Sequence, residues 1–269
     1  MNNSNYHFIF PAHPLRPKLV EPTFANQYKS FQDAGFTVST IPDEVIDGQQ
    51  KIRNMPSDST VVYRGWMMNA KTYSRLEAAV TSASGKLLID LETYLGTHHL
   101  PNWYGVLKDL TPETIILPSG SDFSSEIAKL SWDQYFVKDY VKSLTTSRGS
   151  IAKNYDDIEH AISEFIDYRG ELEGGLCLRR VEPLQHETEC RYFIIMGKAF
   201  GPTTEAVPDI VNAVAERIQS SFYSVDIIQR EDGVLRLVEI GDGQVSDLKS
   251  WSAEAMARIW KQSLIGSKK

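Results

Sequence analysis

The sequence predicts an open α/β domain over roughly residues 5–95, followed after Trp132 by an α+β unit with an antiparallel sheet. Three observations predict it. Short apolar runs alternate with helical patterns through the first half, the rhythm of parallel crossover units. After Trp132 four or five strand-like runs follow with few crossovers. Between the last two of these, Asp232-Gly233 is a hairpin signal.

The elements follow in order. His7-Phe8-Ile9-Phe10 is a strand stopped by Pro11. Phe24, Tyr28 and Phe31 are at helical spacing, predicting a helix from Phe24 to Ala34 with Gly35 as its stop. Phe36 to Ile41 alternates as a strand, and Thr60 to Tyr63 is another. A helix spans Tyr73 to Ala83, then Leu87-Leu88-Ile89 is strand again. From Thr97 to Ser131, Pro, Gly and aromatic residues predict a connector with short helical pieces whose aromatic rings want burial. Tyr135 to Lys138, continuing to Tyr140-Val141, is a strand. Asp156 caps a helix presenting Ile158, Ala161, Ile162, Phe165 and Ile166, ending by Gly170. Runs at 175–181, 191–196, 222–229 and 234–240 are strands, with helices expected at 209–221 and 252–262. The implied division is a pre-domain of residues 1–95, a connector of 96–131 and a final region of 132–269.

Composition excludes several classes. The chain has 269 residues, 42% hydrophobic and 23% charged, with a net charge of −7. That acidic balance argues against broad nucleic-acid binding. No run approaches the ~20 apolar residues of a membrane span. The first residues, Met1 to Tyr6, lack a basic region followed by an apolar run, so a cytoplasmic location is expected. Two cysteines, Cys177 and Cys190, make no disulfide framework and read as small buried hydrophobes. Nothing in the sequence speaks to oligomeric state.

Charged residues interrupting apolar strands carry the chemistry. Asp226 and Glu239 each sit inside an apolar pattern on the two strands of the last hairpin, and alternation turns them to a common face. Two such carboxylates either share a cation, for which oxygen ligands suit Mg²⁺, or one is paired to an arginine and the other lies at an edge. Lys138 ends an apolar strand and precedes Lys142 to Ser150, a hydroxyl- and glycine-containing turn of the kind that cradles phosphate. The same lysine would serve equally on a surface. The Walker spacing is absent, and Tyr140 stands where a nucleotidyl-transferring ligase needs Asp. Arg179-Arg180-Val181-Glu182-Pro183-Leu184 closes a strand in a sharp turn, and Arg191 opens the next; an arginine there clamps an anion or ties a sheet edge. Arg64, after a strand, and Arg16, after the first one, lie where ligands of open α/β sheets collect, or else form ordinary ion pairs and solvated surface.

The order of these pieces resembles the ATP-grasp superfamily: a strand-ending lysine, a phosphate-type turn, a Glu-Pro hinge, Glu-x-x-Arg-x-Phe, then Asp…Glu-x-x-Asp. Tyr63-Arg64-Gly65-Trp66-Met67, Leu100-Pro101-Asn102-Trp103-Tyr104 and Glu239 to Ser246 look like a small clade of it. The resemblance implies an α/β pre-domain before two α+β subdomains gripping ATP. It implies Lys138, Lys142, Ser147 and Arg179 or Arg180 near phosphates, and Val181, Glu182 and Leu184 at adenine. Arg191 would lie at the transferring phosphoryl group, Asp226 and Glu239 on Mg²⁺, and Arg64 and Arg16 toward the acceptor. The superfamily's Glu-x-Asn is here Glu239-Ile240-Gly241, so Asp242 is expected to replace the missing ligand. The activity implied is an ADP-forming ligase joining an unidentified carboxylate to an amine. A phosphotransferase and a non-catalytic nucleotide-binding protein are the rival readings.

Overall fold

The computed structural model describes residues 5–48, 52, 55–141, 149–170 and 172–265. Lys142, Ser147 and most of the expected phosphate turn lie outside the described residues. In chain order the elements are β1 (Tyr6–His13), β2 (Arg16–Val20), α1 (Ala25–Asp33), β3 (Thr37–Ile41), α2 (Asp43–Ile46), β4 (Thr60–Tyr63), α3 (Ala70–Ser82), β5 (Lys86–Leu87), α4 (Leu91–His98) and α5 (Leu100–Leu107). They continue with β6 (Thr114–Pro118), α6 (Phe123–Ile127), β7 (Tyr135–Asp139), β8 (Ile151–Ala152), α7 (Tyr155–Arg169), β9 (Gly175–Arg180) and β10 (Leu184–Ile195). The last are β11 (Lys198–Phe200), α8 (Asp209–Arg217), β12 (Phe222–Arg230), β13 (Leu235–Asp242) and α9 (Ala253–Ile265).

Contacts group the chain into two units. The first comprises residues 1–97, 190–225 and 240–269; the second comprises 98–189 and 226–239. The linear division read from the sequence misses this interleaving, because the partition falls inside β10, β12 and β13.

In the first unit β1 is parallel to β3 and to β4, and β4 is parallel to β5, as the crossover rhythm predicts. Pro11 does not stop β1: it still pairs with Ile41, and its carbonyl accepts from the Glu21 amide at 2.8 Å. The strand then folds back into the antiparallel β2, which its prolines and cations conceal in the sequence. The core under this sheet joins distant sequence: Phe8, Phe31 and Phe36 with Phe193, Phe222, Trp251 and Trp260. Trp260 stands edge-on to Phe8 at 5.0 Å and to Phe222 at 4.9 Å. The last helix is therefore part of the first unit's core.

In the second unit the sheet runs β6-β9-β7-β8, every pair antiparallel. A connector over 97–131 leaves no room for β6, although Ile115-Ile116-Leu117 is the β-branched, apolar run a strand needs. One face of this sheet buries Leu117, Tyr135, Val137, Leu176 and Leu178 with Ile158 and Ala161 of α7. The cap of α7 is Asn154, whose side chain accepts from the Asp157 amide at 2.9 Å, and not Asp156 as expected. A further four-stranded sheet has the order β11-β10-β12-β13. Its last turn closes as the Asp-Gly pair predicts: Arg230 N–H donates to Val234 O and Gly233 N–H to Arg230 O, with Gly233 at φ +87°.

Truncating Trp260 removes the residue that most widely joins this core. Trp260→Ala is expected to lower unfolding free energy by about 3–5 kcal/mol in urea titrations, with an unchanged far-ultraviolet spectrum at zero denaturant.

Candidate active site

In the second unit the site begins with the pairing of β7 and β9. Lys138 lies opposite Cys177 and Phe136 opposite Arg179, so Lys138, Cys177 and Arg179 share the sheet face turned away from the α7 core. Lys138 is only 2% exposed, yet its Nζ lies 3.0 Å from Glu239 Oε2 and 3.4 Å from Val141 O. Burying an ammonium is costly unless a counter-charge and acceptors attend it, and Glu239 supplies the charge. Cys177 is buried beside it as an inert thiol, its pKa pushed up to about 12 by desolvation, with Lys138 acting in the opposite sense. Cys190, expected to be buried too, is only partly so.

The choice between Arg179 and Arg180 is settled by alternation along β9. Arg180 is 60% exposed and reaches Glu113 only at 3.7 Å. Arg179 is buried: it donates through Nη1 to Val238 O at 2.6 Å and through Nη2 to Thr111 Oγ1, while its Nε has no partner. Desolvation lowers its pKa to about 10, and Glu239 foremost among nearby groups opposes that. Thr111 Oγ1 in turn donates to Leu237 O at 2.8 Å. In a regular strand, consecutive carbonyls point to opposite edges. Here Leu237 O and Val238 O accept from two side chains bonded to each other, so β13 departs from regularity at Val238-Glu239. Its burial agrees, running Leu237, Ile240, Asp242. Simple alternation therefore cannot carry the common face expected of Asp226 and Glu239. Asp226 lies buried in β12, and Glu239 is 35% exposed.

The turn between β9 and β10 is held from its side-chain end. Glu182 accepts from Arg236 Nε and Nη2 at 2.8 Å each, and Pro183 O accepts from the Glu231 amide at 2.9 Å. Among the described residues no backbone hydrogen bond is made by Val181 or Glu182 in this turn, and Leu184, partly buried, opens β10.

In the first unit Arg191, on β10, is nearly buried and donates through Nη1 to Asp247 Oδ1 at 2.8 Å and Asp247 O at 3.0 Å. The segment 242–247 that carries Asp247 is held down by groups the sequence does not single out. Gln244 Oε1 accepts from the Tyr63 amide at 3.1 Å, and its Nε2 donates to Tyr73 OH at 2.6 Å and Asp242 Oδ1 at 3.2 Å. Gly243 lies so close to Phe222 that an added Cβ would come within 2.6 Å of the ring.

Two expected roles change here. Arg64 is wholly buried and commits its donors to Gln27 Oε1, Gly243 O and Ser246 O, so it fastens this segment and has no donor turned to an acceptor substrate. Asp242 is also wholly buried: its Oδ1 accepts from the Gln244 amide at 2.9 Å, and its Oδ2 meets no partner. Burial raises its pKa to about 7, against the hydrogen bonds from Gln244 and the charge of Arg64. An enclosed carboxyl of this kind is a packing element of the segment, which argues against its standing in for a metal ligand. Arg16 is exposed in β2.

The donor set fits Mg²⁺ in one respect. Among the described residues no three His, Cys, Asp or Glu side chains cluster. The protein then offers at most the two carboxylates Asp226 and Glu239, and Mg²⁺ characteristically takes one or two carboxylates and completes its shell with phosphate oxygens and water.

A sequence model of an ATP-grasp domain, the third family of its clade, matches residues 94–262. The chain belongs to this ATP-grasp family. No curated protein matches it. Among solved structures, the ATP-grasp chain is similar to a RimK domain protein ATP-grasp from Sphaerobacter thermophilus, with a TM-score of 0.63 and 13% identity over 95% of this chain and 98% of that one. It is also similar to D-alanine–D-alanine ligase from Bacillus anthracis complexed with ATP, with a TM-score of 0.60 and 12% identity over 97% and 98%. A third is the ATP-grasp ligase PsnB complexed with minimal precursor, Mg and ADP, with a TM-score of 0.58 and 9% identity over 98% and 99%. At these identities the likeness establishes the ATP-grasp fold.

The enclosed Asp242 makes a stability prediction. An acid whose folded pKa is raised from 3.8 to about 7 binds its proton more tightly when folded. Its contribution is fully present below pH ~4, declines as pH rises toward 7 and is gone above that. Asp242→Asn is expected to flatten the fall in melting temperature between pH 4 and 7, measured by calorimetry; an unchanged slope would show the carboxyl ionised in the fold.

Proposed function

We propose that the protein is an ADP-forming ligase that activates a carboxylate as an acyl phosphate and passes it to an amine. The observation that supports this most is the buried Lys138, held 3.0 Å from Glu239 with Arg179 on the same face. Buried cations beside a carboxylate, next to a turn with unengaged backbone groups, suit a triphosphate and a base. Membership of the ATP-grasp family, and the nucleotides bound by the ligases named above, point the same way.

In this reading Val181 and Glu182 offer backbone groups to adenine, Leu184 packs against it, and Lys138 and Arg179 neutralise phosphate oxygens. Lys142 and Ser147 would add donors to the phosphates. Asp226 and Glu239 would hold Mg²⁺, which when bound offsets phosphate charge. Lys138 and Glu239 neutralise each other until the nucleotide arrives, so neither charge waits buried alone.

The chemistry is then a displacement at phosphorus. An oxygen of the acceptor carboxylate forms the new bond to the γ-phosphorus, and the β–γ bridging oxygen leaves with the electron pair on ADP. The amine attacks the acyl carbon, phosphate departs with the bond electrons, and the amine gives up a proton. Arg191, on the strength of the family resemblance, would stabilise oxygens that gain charge in both steps. A cytoplasmic enzyme is the expected setting; no helix among the described residues is long and apolar enough to cross a membrane.

ADP release screened over amino acids and small carboxylic acids, with mass detection of an amide, tests the reading. Lys138→Ala and Glu239→Gln are each expected to reduce turnover about 100-fold or more while circular dichroism stays that of a folded chain. A stable phosphorylated product with no amide would replace the ligase by a phosphotransferase. Undiminished turnover in both variants would remove the site.

A further inference from the structure

The β1–β2 hairpin overhangs the parallel sheet. β4 pairs with β1 only as far as Ile9, and β3 as far as Pro11, after which Ala12 and His13 pair with β2 alone. The overhang thus stands at the carboxyl ends of the strands, where open α/β sheets collect ligands. Its side chains are unusual for a free loop: Leu15 is 87% exposed and Leu19 51%. Trp66, in the loop after β4, is also half exposed, its ring edge-on to Phe24 at 4.9 Å in the turn that follows β2. Residues 12–20 hold Arg16 and Lys18 and no acid, in a chain of net charge −7. Among the described residues β2 pairs with β1 only, so one long edge has no strand beside it.

We propose that this edge docks an extended acidic peptide whose apolar and acidic residues alternate. The pattern of β2 dictates that partner. Arg16 and Lys18 share one face and Pro17 and Leu19 the other, so a strand added at the edge would set acids opposite the cations and apolar groups beside Leu19. A second copy of the chain does not fit, since β2 against β2 sets Arg and Lys against Arg and Lys. Like charges directly opposite repel, and Lys and Pro on an edge strand guard against such self-pairing. Docking stands on the hairpin alone; that the docked peptide carries the acceptor carboxylate or amine rests on the ligase reading.

Fluorescence anisotropy without nucleotide, using a fluorescein-labelled peptide of alternating valine and glutamate and a matched one with lysine for glutamate, separates the two claims. The acidic peptide is expected to bind about tenfold or more tightly than the basic one and to weaken at high salt. Arg16→Glu with Lys18→Glu is expected to reverse the preference, and Leu15→Ser with Leu19→Ser to weaken binding several-fold, each variant keeping the wild-type circular dichroism spectrum. No binding of the acidic peptide at millimolar concentration, or a preference untouched by charge reversal, overturns the proposal. Binding without any stimulation of ADP release keeps the docking edge and refutes the acceptor role.

Discussion

Lys138 reaches only 2% exposure and still carries an ammonium, and the second unit is arranged around that fact. An ammonium taken out of water loses hydration that the protein must replace. Glu239 replaces the charge from β13, far along the chain, and Arg179 draws the same strand in by holding the Val238 carbonyl. Thr111 completes the clasp on Leu237. These contacts explain why residues 226–239 group with 98–189 and not with their chain neighbours. They also account for the irregularity of β13, since one edge cannot present two consecutive carbonyls while the strand stays regular.

The first unit solves a related problem with neutral groups. Arg64 and Asp242 are both wholly enclosed, and what accompanies them is a set of amides, hydroxyls and carbonyls: Gln27, Gln244, Tyr73, Gly243 and Ser246. Such a network fixes the 242–247 segment in one arrangement, and with it Asp247, the partner of Arg191. Its cost shows in the unpaired Oδ2 of Asp242 and the raised pKa of that carboxyl.

The parts of this arrangement visible in the sequence are those with local signatures. Hydrophobic alternation marks β1, β4 and β7, the Asp-Gly pair marks the last hairpin, and a lysine closing an apolar run marks Lys138. β2 is invisible because prolines and cations carry no strand period, and β6 is lost inside a proline-rich stretch. Arg179 and Arg180 are equivalent to any sequence rule until a register assigns their faces. Gln27 and Gln244 carry no signal at all: each is an ordinary glutamine until the fold brings Arg64 to the first and the Tyr63 amide to the second. The common face of Asp226 and Glu239 rests on a two-residue period that β13 does not keep. Family resemblance reaches further than local pattern, because it reads the order of charged residues and does not depend on their register.

The central claim is that the Lys138–Glu239–Arg179 face is a nucleotide site whose carboxylate recruits the metal. Calorimetric titration of ATP into the wild-type chain and into Glu239→Gln, each with and without Mg²⁺, tests it most directly. The account predicts that Mg²⁺ strengthens ATP binding to the wild type and that Glu239→Gln abolishes the strengthening without abolishing binding. Equal Mg²⁺ dependence in the two proteins, or no ATP binding to either, would contradict it.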